Sequence, residues 1–111
     1  MQVKIDTRER FHVITVQEST LSANMTELVE NRLSVVLKED VKNLVLNLKD
    51  IHFIDNAAAK TLISLQKQFY GQKASFVVCS LQPALVKQLA EEGLLEQLNY
   101  APTESEAGEI V

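Results

Sequence analysis

The feature that most constrains the fold is a pair of short, continuously apolar runs, each followed by helical spacing. Residues 43–48 read NLVLNL and residues 74–80 read ASFVVCS, without the polar alternation of a half-exposed strand. Between the runs, apolar residues recur at intervals of three and four, as on one helix face: Ala58, Leu62, Leu65 and Phe69, with Ala59 and Ile63 beside them. Strands separated by helices pair in parallel through right-handed crossovers, so the sequence predicts an α/β domain.

The N-terminal part predicts a hairpin and a first helix. Residues 2–6, QVKID, alternate polar and apolar, and residues 11–17, FHVITVQ, are rich in β-branched residues. The polar loop 18–24 ends in two potential helix caps, Ser22 and Asn24. The helix expected after them has an apolar face made of Met25, Leu28, Val29, Leu33, Val36 and Leu37.

The C-terminal half continues the alternation of helices and strands. A helix over 56–70 should stop at Gly71, and a second should begin at Pro83 and stop at Gly93. The inner face of the second helix is expected to hold Leu85, Val86, Leu89 and Ala90. A last strand is expected near Gln97–Tyr100, and for the tail from Ala101 onward both a short helix and disorder remain open.

The predicted order is β-β-α-β-α-β-α-β, with an optional final helix. The fold is then a single α/β domain over residues 1–111, with no linker or repeat dividing it. Its mixed, mostly parallel sheet of four to five strands packs against three to four helices, because only the opening hairpin is antiparallel.

Composition excludes several classes of function. The net charge is −4 and the basic residues are scattered, which argues against nucleic-acid binding. No apolar run approaches the roughly 18 residues of a spanning helix, so direct membrane insertion is not expected. Residues 1–10, MQVKIDTRER, lack the apolar core of a signal peptide, and we expect a cytoplasmic location.

Few side chains carry chemistry. The lone Cys79 lies in an apolar run, as a buried hydrophobe does, and His12 and His52 are too isolated to indicate a metal site. No phosphate-binding glycine loop and no GxSxG elbow occurs. The acidic pairs fall near predicted helix ends and indicate solvated surface. The sequence therefore predicts no enzyme, no cofactor and no metal.

Asp55 is the polar residue that stands out, in the stretch HFIDNAAAKTL at residues 52–62. An aspartate directly before a helix can cap its backbone N–H groups, and this role is compatible with partner binding. A phosphoacceptor aspartate of the receiver type is disfavoured. Receivers also need an acidic pair after the first strand and a lysine after the last, which this chain lacks.

Two stretches resemble STAS domains, the family of bacterial anti-sigma factor antagonists. LVLNLKDIHFIDNAAAKTL, residues 44–62, looks like the family's strand, bend and helix. ASFVVCSLQPALVKQLAEEGLLEQL, residues 74–98, looks like its later strand, proline-led helix and Gly-Leu turn. The resemblance covers about residues 3–107. It implies a binding module that a partner serine kinase switches off by phosphorylating a hydroxyl after the aspartate.

The sequence departs from that pattern where the phosphate would be attached. Asp55 falls on the family aspartate, Asn56 and Ala57 fall on its hydroxyl pair, and Ala58 falls on its glycine. Neither residue of the pair position can accept phosphate. The family's Gly-Glu-Leu-Asp stretch after the second strand is also replaced by ESTL. The resemblance thus predicts a constitutive binder, or one regulated elsewhere, with Thr61 and Ser64 as alternative phosphosites.

We define the docking surface as Asp55, Asn56, Ala57, Lys60 and Ser64, together with loop 18–24. By resemblance, its partner is an anti-sigma factor or serine kinase of the histidine-kinase-like ATPase type, and the function is transcription regulation by partner switching. An alternative is a STAS scaffold or an accessory subunit of a regulatory or lipid-transport complex. The alanines also have a purely structural explanation, because alanine is the best helix former.

Overall fold

A computed structural model describes residues 1–110 and contains seven strands and four α-helices. The strands are β1 (Val3–Thr7), β2 (His12–Val16), β3 (Thr20–Leu21), β4 (Leu44–Asn47), β5 (Phe53–Ile54), β6 (Phe76–Cys79) and β7 (Tyr100–Ala101). The helices are α1 (Thr26–Ser34), α2 (Asn56–Gly71), α3 (Pro83–Glu91) and α4 (Glu104–Ile110).

The main sheet has five strands in the order β1-β2-β4-β6-β7. Only the β1–β2 hairpin is antiparallel, and every other neighbouring pair in this sheet is parallel. The predicted mixed, mostly parallel α/β fold is confirmed. A separate parallel pair, β3 with β5, was not predicted, because two residues are too few to produce a recognisable period.

The first helix is shorter than the apolar pattern indicates. Helix α1 is flanked by 3₁₀ turns at Ala23–Met25 and Val35–Lys38. The capping prediction is wrong, because the Ser22 hydroxyl donates to Asn24 Oδ1 and neither side chain caps a backbone N–H. Leu28 was also wrongly assigned to the inner face, since it is 44% exposed.

The predicted inner face of α2 is confirmed, since its six apolar residues, Ala58, Ala59, Leu62, Ile63, Leu65 and Phe69, are all buried. Helix α2 ends at Gly71, as predicted, although Gly71 is itself the last helical residue. The left-handed turn follows at Lys73, with φ of 60°. Gly93 does adopt the positive φ of 71° that suits glycine after a helix.

Helix α3 also follows the prediction in part. Pro83 occupies the first turn, and Leu85 and Leu89 are fully buried. Val86 is only half-buried and Ala90 is exposed, so the inner face is narrower than predicted.

The core has two layers, one on each face of the main sheet. The larger layer joins α1, α2 and α3 to the sheet through residues such as Leu46, Phe69 and Phe76. The smaller layer holds Cys79 and Ala107, with α4 lying over it and Phe11 at its margin. Burial of both faces explains why β4 and β6 are apolar at every position except Asn47.

The C-terminal tail is an ordered part of the domain as far as Ile110. The strand predicted near Gln97–Tyr100 is wrong in position: β7 shares only Tyr100 with it, because Leu95–Gln97 form a 3₁₀ turn, and α4 follows β7. Of the two alternatives for the tail, the helix is therefore the observed one. Val111, the last residue of the predicted tail and domain, lies outside the described residues.

Candidate functional site

Asp55 caps α2, as the sequence predicts. It precedes the first helical residue in an extended conformation, and its Oδ1 accepts a hydrogen bond of 2.9 Å from the backbone N–H of Ala58. A carboxylate at this position accepts a hydrogen bond from one free N–H of the first turn, and its negative charge interacts favourably with the positive end of the helix dipole.

The second carboxylate oxygen of Asp55 holds the loop 18–24. Asp55 Oδ2 accepts a hydrogen bond of 2.6 Å from the backbone N–H of Ala23, which lies 32 residues earlier. One oxygen of Asp55 therefore caps α2, and the other binds the loop. This contact holds loop 18–24 beside the start of α2.

The short pair of β3 and β5 holds the same loop through the backbone. The N–H of His52 donates to the carbonyl of Ser19 at 2.7 Å, and the N–H of Asp55 donates to the carbonyl of Leu21 at 2.9 Å. On the other side, Gln88 Nε2 of α3 donates to the carbonyl of Ile54 at 2.7 Å. Sequence reasoning missed these contacts, because no local pattern reports pairings across more than 30 residues.

The remaining predicted residues lie along the exposed side of α2. Asn56, Ala57, Lys60 and Ser64 are all exposed. Thr61 differs from them, since it is half-buried and its hydroxyl donates to the carbonyl of Ala57 at 3.1 Å. The structure therefore brings the proposed binding residues to one side of the helix and leaves Ser64 as the more accessible of the two hydroxyls.

A shallow cavity of about 320 Å³ adjoins the docking surface. Lys60 and Ser64 form part of its lining, together with Ile63, Lys67, Leu94 and Gln97. A cavity of about 470 Å³ lies apart from it, between α3 and β7, and no predicted site residue lines it. We give more weight to the smaller cavity, because it is the one that the exposed side of α2 borders.

An exposed aromatic residue next to the docking surface was missed from the sequence. Phe53 of β5 is 49% exposed and pairs in register with Thr20 of loop 18–24. Partly exposed aromatic residues are enriched in protein–protein contacts. The sequence predicts no role for Phe53, because exposure of a single aromatic residue in a two-residue strand leaves no periodic pattern.

Side chains with potential chemistry elsewhere have structural partners. His12 contacts the Val41 carbonyl at 2.8 Å through Nε2 and the Thr7 hydroxyl at 3.2 Å through Nδ1. Burial raises the pKa of the Cys79 thiol, the hydrogen bond from Ser80 opposes that rise, and Glu104 adds to it. A thiol held protonated is a poor nucleophile.

Two absences hold for residues 1–110. No group of three histidine, cysteine, aspartate or glutamate side chains lies close enough together to hold a metal ion. Across the same residues, no helix combines the length and the apolar character needed to cross a membrane.

Comparison with known proteins agrees with this architecture. Residues 2–107 match the family model of the STAS domain. An anti-sigma factor antagonist from Mycobacterium paratuberculosis is 19% identical with a TM-score of 0.83, covering 99% of this chain and 92% of that chain. SpoIIAA in its unphosphorylated form is 17% identical with a TM-score of 0.75, covering 98% of this chain and 95% of its own.

A chain of the stressosome, described as a signal integration and transduction hub, is similar as well. It is 18% identical with a TM-score of 0.71, covering 96% of this chain and 94% of its own. At these identities the solved structures establish the fold. Because the family match covers nearly the whole chain and the architecture agrees with it, the chain belongs to the STAS domain family.

Proposed function

We propose that this chain is a non-catalytic protein-binding module of the anti-sigma factor antagonist type, which regulates transcription by partner switching. The observation that carries the proposal is the contact of Asp55 with both Ala58 and Ala23, which joins α2 and loop 18–24 into one exposed surface. The family match and the likeness to two antagonists support it.

The mechanism is reversible docking without covalent chemistry at the docking surface. Asn56 and Ala57 are exposed and Ala57 is small, so a partner backbone can approach the first turn of α2 closely. Lys60 adds a charge and Phe53 adds apolar area at the same surface. A phosphate would bring a charge near −2 into such a contact and oppose it. Without a hydroxyl at residues 56 and 57, that control is absent here.

The partner that this function implies is an anti-sigma factor or serine kinase of the histidine-kinase-like ATPase type. Such a partner would place the chain in the cytoplasm. If a kinase acts on this chain, Ser64 is the better alternative acceptor, because the Thr61 hydroxyl is already bonded to the helix backbone.

The test is a pull-down from native lysate with tagged wild type and two glutamate variants, followed by mass spectrometry. Ala57→Glu places a charge at the second residue of α2. Ala84→Glu is the matched control, because Ala84 is the exposed second residue of α3 and sits in the same helical position. We expect a kinase-like ATPase that wild type and Ala84→Glu retain and Ala57→Glu loses. Equal retention by all three would contradict the proposed surface.

A scaffold role is the second candidate function, and the likeness to a stressosome chain favours it. A scaffold would bind its neighbours in a large complex through surfaces that need not include Ala57. The same pull-down separates the two functions. Co-purification of other STAS proteins, or of transport ATPase subunits, that is insensitive to Ala57→Glu would favour the scaffold or accessory role.

A further inference from the structure

The main sheet ends at β1, and within residues 1–110 no strand pairs with the outer edge of β1. This edge is five residues long, whereas β7 at the opposite edge has only two. The side chain of Ile5, at the centre of β1, is 58% exposed. A long open edge with an exposed apolar residue is a template for another strand.

The backbone groups that β1 presents outward can be identified from its pairing with β2. Just outside the strand, the N–H of Arg8 donates to the carbonyl of Phe11, and the N–H of Gln17 donates to the carbonyl of Gln2. Hydrogen-bonded pairs occur at every second residue of an antiparallel ladder. Between Gln2 and Arg8, the backbone N–H and carbonyl groups of Lys4 and Asp6 therefore also point to β2. The N–H and carbonyl groups of Val3, Ile5 and Thr7 therefore point away from the sheet.

We propose that β1 pairs antiparallel with β1 of a second copy of this chain, about a twofold axis through Ile5. This register places Ile5 opposite Ile5 and Val3 opposite Thr7 of the second copy. All three outward-facing residues then form hydrogen-bonded pairs, and the two main sheets join into one continuous sheet. The contact also covers both Ile5 side chains, which the monomer leaves in solvent.

The charges on β1 are complementary in this register. Lys4 and Asp6 lie on one face of the strand, with Lys4 Nζ 3.6 Å from Asp6 Oδ2. In the dimer, Lys4 of each copy lies opposite Asp6 of the other, at the closer, non-hydrogen-bonded positions of the ladder. The edge therefore forms two cross-strand ion pairs with its own copy.

The same charges disfavour the neighbouring registers. The second strand can shift along β1 only in steps of two residues. A shift of one residue would place an outward-facing N–H or carbonyl opposite a residue whose backbone groups are already bonded to β2. A shift in one direction places Lys4 opposite Lys4, and a shift in the other places Asp6 opposite Asp6. Like charges directly opposite are destabilising, so the register centred on Ile5 is selected.

The test is sedimentation velocity of the full chain over a range of concentrations, with charge variants. Lys4→Asp makes both ion pairs repulsive and should weaken dimerisation by about tenfold. The double variant Lys4→Asp with Asp6→Lys restores complementary pairs and should restore the dimer. Lys87→Asp, at an exposed position of α3, carries the same change of net charge as the single variant and should behave as wild type.

Hydrogen exchange locates the contact independently. As concentration rises, the amides of Val3, Ile5 and Thr7 should gain protection, whereas those of Lys4 and Asp6 are already bonded to β2. A wild type that stays monomeric at every concentration would overturn the proposal. So would a dimer that Lys4→Asp leaves unchanged, or that the double variant fails to restore.

Discussion

At the scale of single residues, the double role of Asp55 organises the docking surface. One oxygen caps α2 and the other binds the N–H of Ala23, so both carboxylate oxygens are engaged by backbone donors. An aspartate committed in this way acts as a positioning residue. It fixes the loop 18–24 against the helix, and in the proposed function the neighbouring exposed residues make the contact with a partner.

Asp55→Ala should therefore disturb two elements at once. We expect a loss of about 2 kcal/mol in the free energy of unfolding, because both the cap and the bond to the loop disappear. The amide of Ala23 should also exchange faster. Asp55→Asn retains one acceptor oxygen and should lose less. Chemical denaturation and hydrogen exchange measure both effects, and an Asp55→Ala protein with unchanged exchange at Ala23 would show that the loop is held otherwise.

Ala57→Ser tests whether the missing hydroxyl is all that separates this surface from a phosphorylatable one. Ala57 is exposed at the second position of α2, so the substitution should change the free energy of unfolding by about 0.5 kcal/mol or less. Incubation with a serine kinase that modifies a family antagonist should add one phosphate to the variant and none to wild type. Absence of phosphate on Ala57→Ser would mean that kinase recognition is lost as well.

At the scale of elements, α2 has one buried side and one exposed side. Leu62→Asp places a charge among fully buried side chains and should destabilise the domain by at least about 4 kcal/mol. Ser64→Asp, two residues later on the exposed side, should change stability by about 0.5 kcal/mol or less. Thermal or chemical denaturation measures both variants. Cooperative unfolding of Leu62→Asp near wild-type stability would mean that the helix is oriented differently.

The last helix, α4, lies over the second face of the sheet and over Cys79. It approaches closely at Gly108, where an added Cβ would lie 2.8 Å from Cζ of Phe11. Gly108→Leu should therefore displace the helix and expose the thiol, and alkylation of Cys79 should become much faster than in wild type. Glu109→Leu, at the next and exposed position, is the control. Equal alkylation rates in the two variants would show that α4 does not protect the thiol.

The elements predicted from the sequence are those with a strong period or a long apolar run. Helix α2 is buried on one side, and strands β4 and β6 are buried on both faces. The type of residue at each position, apolar or polar, therefore indicates whether that position is buried. The pairing of β3 with β5 and the contact of Asp55 with Ala23 could not be predicted. They join short segments more than 30 residues apart, where no local pattern exists.

Predictions from local sequence also failed where a tertiary contact took the place of the expected helix cap. Ser22 and Asn24 are good caps by type, yet they bond to each other, and the N–H of Ala23 between them is bound by Asp55. For the candidate site, the sequence predicted residues along α2 and the adjoining loop, and the structure places them side by side. The prediction did not include Phe53. In the sequence, a half-exposed phenylalanine beside a buried isoleucine cannot be distinguished from two buried residues.

At the scale of the whole molecule, the two faces of the main sheet are buried in the core. Helices cover both faces of the sheet, and the two surfaces that we propose for binding lie outside this core, at the start of α2 and at the free edge of β1. The two surfaces share no residue. A dimer joined through β1 could therefore present two copies of the docking surface, which would strengthen binding to a dimeric partner through effective concentration.

The measurement that tests the central claim most directly is hydrogen exchange of this chain, alone and saturated with the partner that it captures. We predict that binding adds protection at loop 18–24 and along residues 55–64, and that the chain in the complex carries no phosphate by intact mass. Protection confined to other segments, with exchange at residues 18–24 and 55–64 unchanged, would contradict a constitutive docking surface at the start of α2.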